Sequence, residues 1–297
     1  MRQATRHVGA LALAALALLL LSGCTNLGAV REFAATSASM TNYQAATARY
    51  VGSAERQLTD LPADRRFDAT RQNLGSLRSI TAQDRETLLK LHATTTGYMS
   101  ALAQLAGEDA YSLAPDIQKV SGAIQASSAL GIDATQVSAY GNIAQRVSDW
   151  ALEAVQARSV KAMVERNGAD IDKLLEAMQR ATTAYGAVLD QEVASYELIS
   201  DYRAAQWSAR LPGDSALTPE RREVIDALLR RSACVDLADQ QQALREQQAA
   251  AAGLERVRKS HQLMMENADR LRSKDIQRSL RQATSDLKSI RQSLSTL

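Results

Sequence analysis

The chain is poor in the residues that build catalytic and metal sites. It has 3 histidines and 2 cysteines in 297 residues. No H-E-x-x-H run occurs, and no glutamate stands three residues before His92 or His261, as a di-iron helical bundle requires. There is no C-x-x-C-H haem site, G-x-S-x-G elbow, phosphate-binding glycine loop or dinucleotide fingerprint. One cysteine beyond Cys24 makes neither a zinc cluster nor a framework of disulfides. No catalytic residue, metal ligand or cofactor site is therefore expected, and the chain is not expected to be an enzyme. It contains only 4 prolines, 2 phenylalanines and 2 tryptophans. No segment alternates apolar and polar residues for long enough to make a strand.

What remains is rich in alanine, leucine, glutamine, arginine, glutamate and serine, which are mostly good helix formers. The expected fold is all-α, an elongated multi-helix bundle with long coiled-coil-like helices. Positions 171, 175, 178, 182, 185, 189, 192, 196 and 199 step by four and three, a heptad-type seam with Thr182 and Glu192 as polar intruders. Leu254, Val257, His261, Met264, Ala268 and Leu271 repeat the pattern. So do Ile276, Leu280, Ala283, Leu287, Ile290, Leu294 and Leu297. The step of five from Leu271 to Ile276 marks a slip or a break. No 34-residue repeat signature is present.

Capping signals divide the chain. A first helix is expected from near Arg31 to the stretch Leu58–Asp64. Thr81 is expected to cap a helix that runs to about Ala106. A modest helix follows over Asp116–Leu130, and Asp133 caps the next. Asn167-Gly168 is expected to end a helix, with a long one opening near Asp170 and running to about Ala209. Thr218-Pro219-Glu220 starts a segment expected to continue to the end, interrupted at Gly253 or near Ser273. Between Asp236 and Gly253 the apolar content thins to alanine among glutamines, a stretch expected to be the least stable part or to await a partner.

The start of the chain has a different composition. Arg2, Arg6 and His7 precede an unbroken run of valine, glycine, alanine and leucine from Val8 to Leu21, 14 residues against roughly 20 needed to span a bilayer. Leu21-Ser22-Gly23-Cys24 then resembles the lipobox of bacterial lipoproteins. The resemblance covers the first two dozen residues. It implies diacylglyceryl attachment to the Cys24 thiol, cleavage between Gly23 and Cys24, and acylation of the new amino terminus. Thr25 stands where an aspartate often retains such proteins in the inner membrane, so the resemblance implies the outer membrane, facing the periplasm. Several acyl chains make a stable anchor where one is marginal. The expected organisation is a cleaved signal over 1–23, a lipidated terminus and short tether over 24–31, and a helical bundle over 32–297, of which 219–297 is a long C-terminal helical segment.

Cleavage would remove Arg2 and Arg6 and no acids, turning 35 basic and 33 acidic residues into equal numbers. A neutral body gives no basis for nucleic-acid binding. Charge is nonetheless uneven: residues 160–201 hold eight acids and four bases, and residues 255–297 hold ten bases and five acids. Either the two helices are neighbours whose faces balance, or the basic tail meets an acidic partner or a lipid surface.

The remaining special residues read mainly as packing. Cys234 is expected to be a small buried residue, with a reactive thiol as the alternative. His92 and His261 are expected to be packed, with His261 at a seam position where it could set register or respond to pH near 6 to 7. The tyrosines read as core or as the lining of a ligand cleft. Trp150 and Trp207 are the aromatics best placed for an exposed contact. The function expected is a membrane-anchored periplasmic scaffold that binds a protein partner of the cell envelope. The alternative is a helical module that binds a small ligand or acts as an immunity-type partner.

Overall fold

One helix carries the fold. The computed structural model describes residues 27–39, 42–107, 122–155, 160–210 and 218–295. Among these residues there are seven α-helices and no strand: α1 (Gly28–Ala38), α2 (Asn42–Asp60), α3 (Asp68–Leu105), α4 (Ala134–Val155), α5 (Val160–Arg210), α6 (Pro219–Glu266) and α7 (Lys274–Ser295). The 51 residues of α5 extend about 75 Å at 1.5 Å per residue. All nine seam positions from Ile171 to Ile199 are buried, none more than 7 % exposed. The heptad spacing therefore identifies the face of α5 that the other helices cover.

Side-chain contacts give the directions. Antiparallel α6 meets α5 from Arg258–Asp172 at one end to Asp236–Tyr196 at the other. In parallel with α5, α2 places Thr47 on Tyr185 and Ser53 on Glu192. Antiparallel α3 sets His92 on Thr47 and Tyr98 on His261. Antiparallel α4 places Asn142 on Asp170. At the end where α5 begins, Lys161 pairs with Asp269, and Ala29 N–H donates to Gln277 Oε1 at 3.3 Å. This end, with the first turns of α1 and α7, is the base. The ends of α5 and α2 and the start of α6 form the tip. The acidic and basic segments are indeed neighbours, with the Arg258 guanidinium forked over Asp172 at 3.0 and 3.0 Å and reaching Glu176 at 3.2 Å.

Several boundaries follow the capping signals. Thr218 is extended and its hydroxyl accepts from Arg221 N–H, with Pro219 in the first turn. Asp133 accepts from Thr135 N–H at 2.7 Å ahead of α4. The C-terminal segment breaks at the turn Ala268–Arg270, near Ser273, while Gly253 lies inside α6.

Other local signals are overridden by packing. Thr81 caps nothing: it is fully buried in the middle of α3, and its hydroxyl donates to Val51 and Arg78 carbonyls. Asn167-Gly168 does not end a helix. Asn167 donates to the Met163 carbonyl within α5, and a Cβ on Gly168 would stand 2.9 Å from Met265 Cγ, so the glycine permits α6 to approach. Residues 122–130 are not helical. They turn at Gly122 and Gly131, with φ of +83° and +65°, and pair Ser127 with Ile132 so that Ile124, Leu130 and Ile132 plug the core. The rest of the helix expected over Asp116–Leu130 lies outside the described residues. The first helix is two, α1 and α2, and α1 begins at Gly28 with Ala29 and Val30 buried. The tether expected over 24–31 therefore shortens, because 28–31 belong to the bundle. Trp150 is 1 % exposed, its ring edge-on to Tyr98 at 5.9 Å, so it is core and not a contact surface.

Both histidines are core residues as well. His92 Nε2 lies 3.1 Å from Thr47 Oγ1, and His261 Nε2 lies 3.1 Å from Tyr98 OH. Burial pushes each down to about 4, with Asp172 partly opposing it at His261. Titration near pH 6 to 7 is thereby removed from the folded state. The unfolded chain takes up protons below about pH 6.5 while the folded chain does not, so stability falls as pH drops from about 6.5 to 4. Each histidine contributes roughly 3 kcal/mol to that loss at the acid limit. Urea unfolding across this range, compared between the native chain and His92→Gln/His261→Gln, should show a shallower pH slope in the variant.

Candidate functional site

Glu192 sits on the buried seam of α5 with its side chain 2 % exposed. A carboxylate so deprived of water needs a charged partner and further hydrogen bonds. Both come from α2: Arg56 donates through Nε at 2.6 Å and Nη2 at 2.9 Å, and Ser53 Oγ donates at 2.6 Å. Arg56 also donates to the Arg49 carbonyl at 2.7 Å, and a Cβ on Gly52 would stand 2.8 Å from Arg56 Nη1. The glycine leaves the guanidinium its place.

This pairing clamps α2 to α5 on one side while α6 lies on the other, and a cleft opens between α2 and α6. Alanines face each other across it. Ala45, Ala46 and Ala48 of α2 oppose Ala243 and Gln242 of α6 around about 540 Å³. The Arg49–Asp239 ion pair at 3.0 Å bridges the cleft. Beyond that bridge a second space of about 500 Å³ is lined by Arg56, Asp60, Tyr196, Asp236 and Gln240. Here Tyr196 OH donates to Asp236 at 2.8 Å, and burial together with that carboxylate pushes the phenol up to about 12. Burial, then the Asp236 and Glu192 charges, raise the Asp60 carboxyl against the pull of Arg203. Gln240 is 7 % exposed, and its Oε1 has no hydrogen-bond partner among the described residues. The alanine and glutamine stretch of α6 is therefore the wall of a cleft: its small side chains leave volume, and its amides line it.

Toward the tip the cover of α6 ends. Val224, Leu228 and Val235 are 58, 61 and 60 % exposed and fall within about 40° of one another on the helix. Leu229 turns toward α5 and helps line a space of about 300 Å³ with Tyr196, Ala204 and Cys234. Cys234 is exposed, not buried as its helical spacing suggested. The α2–α3 turn braces the tip instead of covering it. There Tyr202 OH donates to Asp64 at 2.7 Å, Phe67 packs edge-on to Tyr202, and Arg66 sits 5.0 Å from the ring centroid. The Arg66 guanidinium and its backbone N–H, both donating to Asp64, and then the Tyr202 hydroxyl hold the Asp64 carboxyl well below the usual carboxylate range. Trp207 is half-buried near the end of α5.

Gly23 and Cys24, the cleavage and lipid-attachment residues expected from sequence, lie outside the described residues. Among the described residues no group of three histidine, cysteine, aspartate or glutamate side chains could hold a metal ion, and no helix is long and apolar enough to cross a membrane. Comparison with known protein families, curated proteins and solved structures finds no match to this chain.

Arg56→Ala should destabilise the chain by roughly 3–5 kcal/mol, because it strands a buried carboxylate. Arg56→Ala/Glu192→Leu should recover most of that loss. Urea unfolding of both variants measures the difference.

Proposed function

We propose that this chain is a lipid-anchored scaffold of the bacterial cell envelope, a helical bundle held on the outer membrane through Cys24 and facing the periplasm. Its tip binds a protein partner. The observation that carries this reading is the stripe of Val224, Leu228 and Val235, each more than half exposed. Apolar residues gathered on one uncovered helix face suit recognition by a partner helix or groove. The stripe lies at the tip, whereas the chain leading back to Cys24 leaves α1 at the base. Anchor and recognition face thus stand at opposite ends of α5, so the partner would be met at a distance from the anchor point.

The second reading, a module that binds a small ligand, draws on the cleft. Its 500 Å³ compartment lies within the size range of ligand pockets. The unpartnered Gln240 Oε1 offers an acceptor there, beside Asp60 and Tyr196. No catalytic role is assigned to any residue.

A photo-crosslinking residue placed at position 228 in intact cells tests the scaffold reading. A discrete protein adduct is expected, lost in Val224→Asp/Val235→Asp. Cys24→Ala should abolish the adduct and leave only membrane association that high salt releases. An adduct unchanged by the aspartates, or no protein adduct in the anchored chain, contradicts the proposal.

A further inference from the structure

One helix face is basic and carries no counter-charge. On α7 the buried side is Ile276, Leu280, Ala283 and Leu287, which packs against α1 and α6. The opposite side carries Lys274, Arg278, Arg281 and Lys288, all exposed. Their spacing of four, three and seven residues places them within about 80° of one another, on a line about 21 Å long. The two acids of α7 are occupied elsewhere, Asp275 by Arg270 at 3.3 Å and Asp286 by Arg256 of α6 at 2.6 Å. Among the described residues none of the four cations holds an ion-pair partner.

The stripe starts where the chain would be tethered. Gln277, between Lys274 and Arg278, accepts from Ala29 N–H in the first turn of α1 at 3.3 Å and donates to the Leu271 carbonyl at 2.5 Å. Only three residue steps separate Leu27 from Cys24, a reach of about 10 Å fully extended. An acylated Cys24 would therefore hold the start of this row of cations at headgroup depth.

From this charge row and the short tether we infer that α7 docks on the membrane surface, its four cations lying on the phosphates of anionic lipid headgroups. The inference rests on the anchor reading for its location and on the stripe itself for its chemistry. Each cation near an anionic surface contributes independently, and the attraction is screened by salt. A lipid anchor alone fixes one point; a row of phosphate contacts also fixes which side of the bundle faces the bilayer.

The test uses the chain from residue 24 onward with Cys24→Ala, which carries no lipid and retains every described helix. It is mixed with vesicles of phosphatidylcholine alone or with phosphatidylglycerol added, and bound protein is measured by co-sedimentation. Binding is expected only with phosphatidylglycerol and is expected to weaken steeply as salt is raised. Arg278→Gln/Arg281→Gln should weaken it roughly thirty-fold, whereas Arg85→Gln on α3 should leave it unchanged; circular dichroism checks that each variant is folded. Equal binding to both vesicle types, or unchanged binding by the glutamine variant, overturns the inference. Binding to a soluble polyanion but to neither vesicle also overturns it. Failure of the anchor reading shows separately, as wild-type protein that does not fractionate with membranes in cells.

Discussion

A carboxylate without water must find a cation, and in this bundle that requirement ties the longest helix to its neighbour. Glu192 occupies a seam position of α5 where leucine or isoleucine would pack without conditions. As a glutamate it demands Arg56 and Ser53, and so fixes the register of α2 on α5. With α2 held there, it stands apart from α6 over alanines and glutamines, and the space between them is the cleft. The same spine is closed at its other end by apolar seams, where Leu254, Val257 and Met264 of α6 are almost wholly buried. The bundle is therefore asymmetric along its length: more apolar and closely packed at the base, polar and partly open in the middle, and, among the described residues, uncovered on one face of α6 at the tip.

That asymmetry bears on both proposed surfaces. The base holds the first turn of α1 and the first turn of α7, so a tether and a charge row would begin at one place. The tip presents an apolar face on α6, while the α2–α3 turn braces the end of α5 through Asp64 and Tyr202. Because α7 runs alongside α1, from Ala29–Gln277 to Ser39–Arg291, a docked charge row would lay this side of the bundle along the bilayer, and the length of α5 would separate the anchor from the protein contact at the tip.

Much of this was legible in the residues, and the failures share one cause. Period alone identified the buried seam of α5 from Ile171 to Ile199, because a seam over four turns or more leaves no alternative face to bury, whereas Met163, Val164, Leu174, Ala177 and Ala181 are buried beside it without belonging to that stepping. Caps that agreed with the period, Asp133 and Thr218, also held. Thr81 and Asn167-Gly168 misled because their local chemistry is shared by two situations. A threonine hydroxyl can cap or can bond a neighbouring helix, and a glycine can end a helix or admit another one, as Gly168 admits Met265. Glu192 was visible as an intruder, but its partner lies 136 residues away and no spacing rule points to it. Cys234 and the stripe from Val224 to Val235 have a helical pattern that says which residues share a face, and nothing about whether another helix covers it. Trp150 shows the converse, an aromatic near a helix end that α3 buries.

Native-state hydrogen exchange along α6 tests the central claim most directly. Amides from 222 to 238, with one face bare, should exchange through local opening, orders of magnitude faster than those from 250 to 264, and the seam of α5 from 171 to 199 should remain protected throughout. Equal protection along the whole of α6 in the purified monomer would contradict the account, since it would mean that the tip is covered as well as the base.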